Sequence, residues 1–381
     1  MTPAELSRTV LRSVRGALEA RELSLGESDV PETVDVRVPP RPGCGDYATN
    51  VALRLAGPAG LSAREVAGVV RKRLAAAPGI AGVEVAGPGF LNITLGGGAP
   101  AAVVREVLEA GPAYGRAVGA ASPIGPAYGR TTADGSTAGP VPRIDLRPAP
   151  GPRAAVTAEA LRAIMEAVGE GTASAGEEIR PVPVKDAAGR YVTAEELVAR
   201  LGGDEMRWVL LYPAAHDHVR VPERPVQREG NPRFLVQYAY ARTCAVSRNA
   251  RDLGVDDPAP VRGNPADEPI GDLPGSPADN RAGDPSGDSY DIPHTPLHAA
   301  LAAYPAVLEA AARLRAPDRL ARHLEVTAEA CLSFLATCPP LPAGEQKPMA
   351  VHRARLAVAQ AAGTVLANGL TLLGISAPEH L

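Results

Sequence analysis

A length of 381 residues leaves room for two or three domains of ordinary size, and a hydrophobic share of 45% allows real cores. The formal net charge of -4 argues against a non-specific nucleic-acid binder. Cys44, Cys244, Cys331 and Cys338 show neither Cys-x-x-Cys nor zinc-ligand spacing, and no stretch reaches the length of a membrane span, so a cytoplasmic protein with reduced thiols and no metal is expected.

Thr2-Pro3-Ala4-Glu5 opens a first helix that sets Leu6, Val10, Val14 and Leu18 on one face. Its charges also argue against a signal peptide over residues 1–20. Residues 34–38 alternate apolar and polar as a strand does, and a second helix is expected to follow Asp46. A third helix is predicted over 62–76, with Ser62 as N-cap and Glu65 completing a capping box. Residues 83–85 and 90–95 read as strands joined at Gly87-Pro88-Gly89, and a helix over 100–109 leads out of this module.

From Gly111 to Arg143 the chain is rich in Gly, Pro, Ala and Ser, with Gly-Pro-Ala-Tyr-Gly-Arg at 111–116 and again at 125–130. This reads as a flexible linker containing a local duplication, in which Tyr114 and Tyr128 could serve as a clamp. A small α/β piece follows, with strands over 143–147 and 179–184, helices over 157–168 and 193–201, and a further element over 206–212. The last segment is helical, over 231–253, 297–314, 317–336 and 351–373. It is interrupted by an acidic Asp/Gly/Pro/Ser insert whose composition predicts disorder.

Several of these stretches carry a resemblance. Gly45-Asp46-Tyr47-Ala48-Thr49-Asn50 and Val85-Ala86-Gly87-Pro88-Gly89-Phe90-Leu91-Asn92 resemble the N-terminal additional domain of arginyl-tRNA synthetases. Asn231-Pro232 through Val236-Gln237-Tyr238-Ala239-Tyr240-Ala241-Arg242 resembles the first helix of their DALR-type anticodon-binding domain. Val365-Leu366-Ala367-Asn368-Gly369-Leu370, on to Gly374-Ile375-Ser376-Ala377-Pro378-Glu379, resembles its closing helix and tail. The implied architecture is multidomain α+β. It comprises a small α+β N-terminal module (1–110), a linker (111–142), a shrunken α/β remnant of a Rossmann-type domain (143–225) and an all-α bundle (230–381) with a disordered insert (256–296).

The middle departs from the family. A Lys-Met-Ser-Lys-like run is replaced by Val184-Lys185-Asp186-Ala187-Ala188-Gly189-Arg190. Arg147-Pro148-Ala149-Pro150-Gly151-Pro152 stands where Asn-Pro-Thr-Gly would precede His-x-Gly-His. Adenylyl transfer needs imidazoles, lysines and helix-terminal N–H groups to meet charge on the departing pyrophosphate. None of the chain's histidines lies near Pro152, and the span between the two motif positions is too short for a full crossover domain. No catalytic, cofactor or metal residue is therefore assigned, although the resemblance implies ATP binding.

What the resemblance implies about partners is tRNA, with tRNA-Arg expected. Phe90 and Asn92 point to one face of their strand and would meet a splayed base by stacking and by amide hydrogen bonds. In the bundle the candidates are Tyr238, Tyr240, Arg242, Phe334, Arg353, Arg355 and Leu381. The alternatives are an arginine–tRNA ligase with a rebuilt site and a scaffold that docks proteins through the bundle.

Overall fold

Leu6, Val10 and Val14 recur along one stripe of α1 (Pro3–Glu19) and all three are fully buried, as the spacing of an amphipathic helix requires. They share one core with Leu55 of α2 (Val51–Ala59), with Val66, Val70 and Leu74 of α3 (Ala63–Leu74), and with Tyr47, Leu91 and Ile93 of a four-stranded sheet. That sheet is antiparallel, in the order β1 (Val36–Arg37), β2 (Tyr47–Thr49), β4 (Phe90–Leu95), β3 (Ile80–Ala86). The capping box at α3 forms as its sequence requires: Ser62 N donates to Glu65 Oε2 at 2.8 Å, and Glu65 N to Ser62 Oγ at 3.3 Å.

The helix expected after Asp46 is α2, and a short strand not foreseen from the sequence, β2, precedes it. Tyr47 and Thr49 alternate into the core, and β2 lies between β1 and β4. Gly45 and Asp46 fix its register. Asp46 N donates to Ile93 O at 2.8 Å, and the Asp46 carboxylate accepts from Leu95 N at 2.7 Å. Gly45 sits at φ +82 with Ile93 O only 2.9 Å from where a Cβ would stand, so no other residue fits there without strain. Asn50 occupies the N-cap position of α2 without a side-chain cap bond, and Thr49 Oγ1 accepts from Val51 N instead.

The structure is a computed structural model that describes residues 3–26, 29–37, 39, 45–96, 98–117, 145–170, 176–186, 188–224, 230–255, 295–344, 346–347 and 349–381. The second repeat copy at 125–130, Val38 at the end of the first expected strand, and most of the acidic insert lie outside these residues. Two compact units are formed: Met1–Val103, Asn249–His294 and Pro339–Ala357 make one, and Val104–Arg248, Thr295–Cys338 and Val358–Leu381 make the other.

In the second unit, β5 (Leu146–Pro148) and β6 (Glu177–Ile179) pair in parallel on either side, in sequence, of α5 (Pro152–Ala167). A parallel pair needs a crossover, and α5 supplies it. This helix starts five residues before the expected Thr157, with Pro152 at its first position, where proline's missing N–H costs nothing. The second strand comes earlier than expected and is shorter. Beyond it lie α6 (Ala194–Leu201), α7 (Gly203–Leu211), α8 (Pro232–Asp252), α9 (Pro296–Arg313), α10 (Asp318–Thr337) and α11 (Ala350–Leu372). Leu301, Tyr304, Leu308, Leu320, Leu324, Val365, Leu366 and Leu370 are fully buried. The buried stripe of α8 runs through Val236, Ala239, Thr243 and Val246 rather than through Phe234 and Tyr238, which are half-buried.

The linker expected over 111–142 is structured at its start, and its residues from 118 on lie outside those described. After α4 (Ala99–Ala110), a 3-10 turn at Gly111–Ala113 leads into Tyr114, which is 2% exposed. A buried tyrosine cannot serve as a solvent-side clamp.

Candidate nucleic-acid interface

The period-two geometry of β4 turns Leu91, Ile93 and Leu95 inward and leaves Phe90, Asn92 and Thr94 on the outer face. Phe90 is 41% exposed, so its ring is not part of the core. The register sets Arg37, Ala48, Asn92 and Glu84 in one row across all four strands, with Ala86 opposite Phe90 in the next. Ring and amide thus stand side by side, Phe90 opposite Ala86 and Asn92 between Ala48 and Glu84. Such a face can hold an unstacked base by its plane and its edge.

The bundle treats its candidates unevenly. Arg242 is exposed, and Leu381 is 59% exposed. Tyr238 is half-buried and stacks on Phe234, with centroids 5.9 Å apart. Tyr240 is half-buried too; burial, its bond to Cys244 and the charge of Glu379 push its hydroxyl pKa up to about 12. Phe334 is 3% exposed and meets His298 edge-on at 6.4 Å. It therefore offers no free face for base stacking, which corrects the expected role, because its helical position turns it into the bundle core. Arg353 and Arg355 are half-buried on α11, and Arg355 Nη1 donates to Pro339 O at 3.2 Å.

The C-terminal tail is positioned by α8. Gln237 Nε2 donates to Ser376 O at 2.9 Å and to Asp204 Oδ2 at 3.0 Å, and Ser376 also bonds to Asp204. Arg233 bonds to both Glu205 and Gln237, and Asn231 Nδ2 donates to Glu205 Oε2. Further along, Arg248 lies 3.3 Å from His380 Nδ1 and donates to Glu379 O. Arg248 was missed from sequence, although its spacing from Gln237, Tyr240 and Cys244 places all four along one face of the helix. Also missed was a cleft of about 710 Å³ lined by Trp208, Tyr212, Arg220, Arg224 and Arg322, in which Tyr212 stacks on Trp208 and lies under the Arg322 guanidinium.

The first turn of α5 is the place where phosphate-binding groups are implied. Here Arg153 is 2% exposed, and its guanidinium donates to Leu210 O, Val182 O, Asp217 O, Pro213 O and Ala214 O at 2.7–3.2 Å. Five N–H groups meet five carbonyls, so no donor remains for a ligand. Ala154, Val156 and Thr157 are buried beside it. The lysine-loop segment is likewise closed into a hairpin, with Lys185 bridged to Tyr191. The Asp186 carboxylate accepts from Ala188 N, Arg190 N and Arg190 Nε, and Arg190 Nη1 pairs with Glu196 at 2.7 Å. The Arg190 backbone N–H leads in holding the Asp186 pKa below its ordinary value. Lys185 Nζ sits 4.9 Å from the Tyr191 ring centroid.

Among the described residues no helix is long and apolar enough to cross a membrane. Residues 8–95 match the family model for the arginyl tRNA synthetase N terminal domain, and residues 285–381 match that for the DALR anticodon binding domain. An arginine–tRNA ligase of Paenarthrobacter aurescens (strain TC1) is 26% identical over 573 aligned positions spanning the whole of both chains. Set against 381 residues, 573 positions leave at least 192 with no counterpart here. An arginine–tRNA ligase of Kineococcus radiotolerans is 50% identical over 116 residues, which are 30% of this chain and 21% of that one. Thermus thermophilus arginyl-tRNA synthetase has the same overall fold at a TM-score of 0.59, with 13% identity across all of both chains. The chain thus carries an arginyl-tRNA synthetase N-terminal domain near its start and a DALR anticodon-binding domain at its end.

Proposed function

We propose that this protein binds tRNA, with tRNA-Arg as the expected partner, and does not activate arginine. The observation that carries this reading is the fate of Arg153. Activation requires preorganised donors for the phosphates of ATP at the opening of α5. There, the one cation present is saturated by the protein's own carbonyls, and its neighbours are alanine, valine and threonine. The hairpin closed by Asp186 supports the same reading, because it ties Arg190 to two carboxylates. The residues present do not fit ATP at this place.

Binding is assigned to the Phe90 and Asn92 face and, in the anticodon-binding part, to Arg242, Arg353, Arg355 and the tail at Leu381, with Tyr238 and Tyr240 in supporting positions. Filter retention of tRNA-Arg against a scrambled RNA of equal length tests it, with arginine-dependent ATP–pyrophosphate exchange measured in parallel. The expected result is selective retention and no exchange. The second reading, an arginine–tRNA ligase with a rebuilt site, draws on the alignment of the whole chain with proteins named as ligases. Exchange above background would establish it and overturn the first. Loss of both signals would leave the scaffold reading.

A further inference from the structure

The cleft of about 710 Å³ lies wholly within the second unit, with walls from α7, from residues 213–224, from the start of α8 and from α10. His218, Arg220, Pro222 and Arg224 line it while Val219, Val221 and Glu223 do not, which is the period of an extended chain. Pro222 fixes its own φ and pushes Val221 out of the helical region, so this stretch cannot coil. From α6, Arg200 donates to Val221 O and to Glu223 O, each at 3.2 Å, and holds the alternation in place. Arg220 and Arg224 are exposed, and among the described residues neither has an ion pair with a carboxylate.

A second wall is planar. Trp208 and Tyr212, four residues apart, stack with centroids 5.8 Å apart, and the Arg322 guanidinium lies 5.2 Å from the Tyr212 centroid. The Arg322 side chain stays 50% exposed, and the Asp318 carboxylate is 3.6 Å away, beyond hydrogen-bond distance. Its fork is therefore open, unlike that of Arg153. Of the two acids in the lining, Glu205 is buried and already bound by Arg233 and Asn231, which leaves Asp217 against three guanidiniums. Guanidinium forks match phosphate oxygens, and a guanidinium plane stacks on a nucleobase. A cleft of this volume takes one compact ligand rather than a length of strand. We propose that it is a binding site for a nucleoside polyphosphate, with the phosphates on Arg220 and Arg224 and the base against Arg322. Stacking does not read base edges, so adenine and guanine nucleotides should bind alike. This site is independent of tRNA binding and of the opening of α5.

Trp208 is the chain's only tryptophan, so its fluorescence reports on the cleft directly. Titration of the full chain with ATP or GTP should change that emission saturably, with affinities within roughly threefold of each other, and equilibrium dialysis should show the same binding. Arg220→Ala/Arg224→Ala should weaken both nucleotides by roughly tenfold or more and leave the denaturation midpoint unchanged, because both side chains are exposed. Arg322→Lys keeps the charge and loses the stacking plane, so it should weaken ATP by roughly threefold or more and inorganic triphosphate less. The inference is overturned if neither nucleotide binds by either measurement, or if the double arginine variant binds them as tightly as wild type. It is overturned too if inorganic triphosphate binds as tightly as ATP, which would leave an anion site without a base platform. Saturable quenching by tRNA and by neither mononucleotide would also overturn it, and would assign the cleft to RNA instead.

Discussion

The outer face of β4 and the interior around α5 and α10 carry the same kinds of side chain and use them in opposite ways. On β4, Phe90 is 41% exposed beside Asn92; in the bundle, Phe334 is 3% exposed against His298. Arg153, the cation nearest to where phosphates would sit, spends all five donors on carbonyls, while Arg37 ends the β4-face row with its side chain in solvent. Residue type alone does not make a site. A side chain is available only where the period of its element and the groups around it leave it so.

The contrast breaks most sharply at Arg153. Arg153→Met would leave five carbonyls without donors, each worth about 1–3 kcal/mol when unsatisfied, with water entry and relaxation limiting the total to about 4–5 kcal/mol. Chemical denaturation should read that loss, and an unchanged midpoint would mean the guanidinium is not structural. Phe334→Ala should cost about 3–5 kcal/mol, as a large-to-small change in a packed core does. Phe90→Ala should stay within about 0.5 kcal/mol of wild type. Equal losses at the two phenylalanines would erase the distinction between a presented ring and a packed one.

Much of the sheet face could be read in advance because it rests on local rules. Alternation along residues 90–95 and the turn at Gly87-Pro88-Gly89 required only a period and two glycines. The capping box at Ser62 and Glu65 likewise lay within four residues. What failed depended on distant partners. Tyr47 and Thr49 form β2 because Gly45 and Asp46 clamp onto Ile93 and Leu95, nearly fifty residues away. Phe334 and Tyr114 looked available because helical and linker sequences do not announce what packs over them. Arg153 drew no expectation at all, since it lay ahead of the expected helix and backbone carbonyls from 182 to 217 carry no sequence signal.

A pH titration sharpens the contrast from the buried side. His323 Nε2 is buried and has no hydrogen-bond partner among the described residues; burial lowers the pKa from 6.5 to about 4, opposed by a bond to the Ala300 backbone. The unfolded chain takes up this proton below about pH 6.5, whereas the native state resists until about pH 4. Stability should therefore fall as pH drops through that window, by on the order of 3 kcal/mol, and level off below it. In His323→Gln this contribution should vanish, leaving a shallower slope between pH 6.5 and 4 in denaturation midpoints.

The smallest effects fall on the open face and are read in affinity. Phe90→Ala should weaken tRNA binding by about 1–3 kcal/mol, the range for loss of one base–aromatic stack. Asn92→Ala should weaken it by about 0.5–1.5 kcal/mol, the worth of a neutral hydrogen bond. Neither residue is charged, so plots of log affinity against log salt should shift down without changing slope, while Arg242→Ala should flatten the slope by roughly one phosphate's worth. A flatter slope in Phe90→Ala would mean that the substitution moved charges rather than removed a stacking surface. The ring would then act by shaping the sheet, as Phe334 shapes the bundle, and the face of β4 would lose its claim to be different.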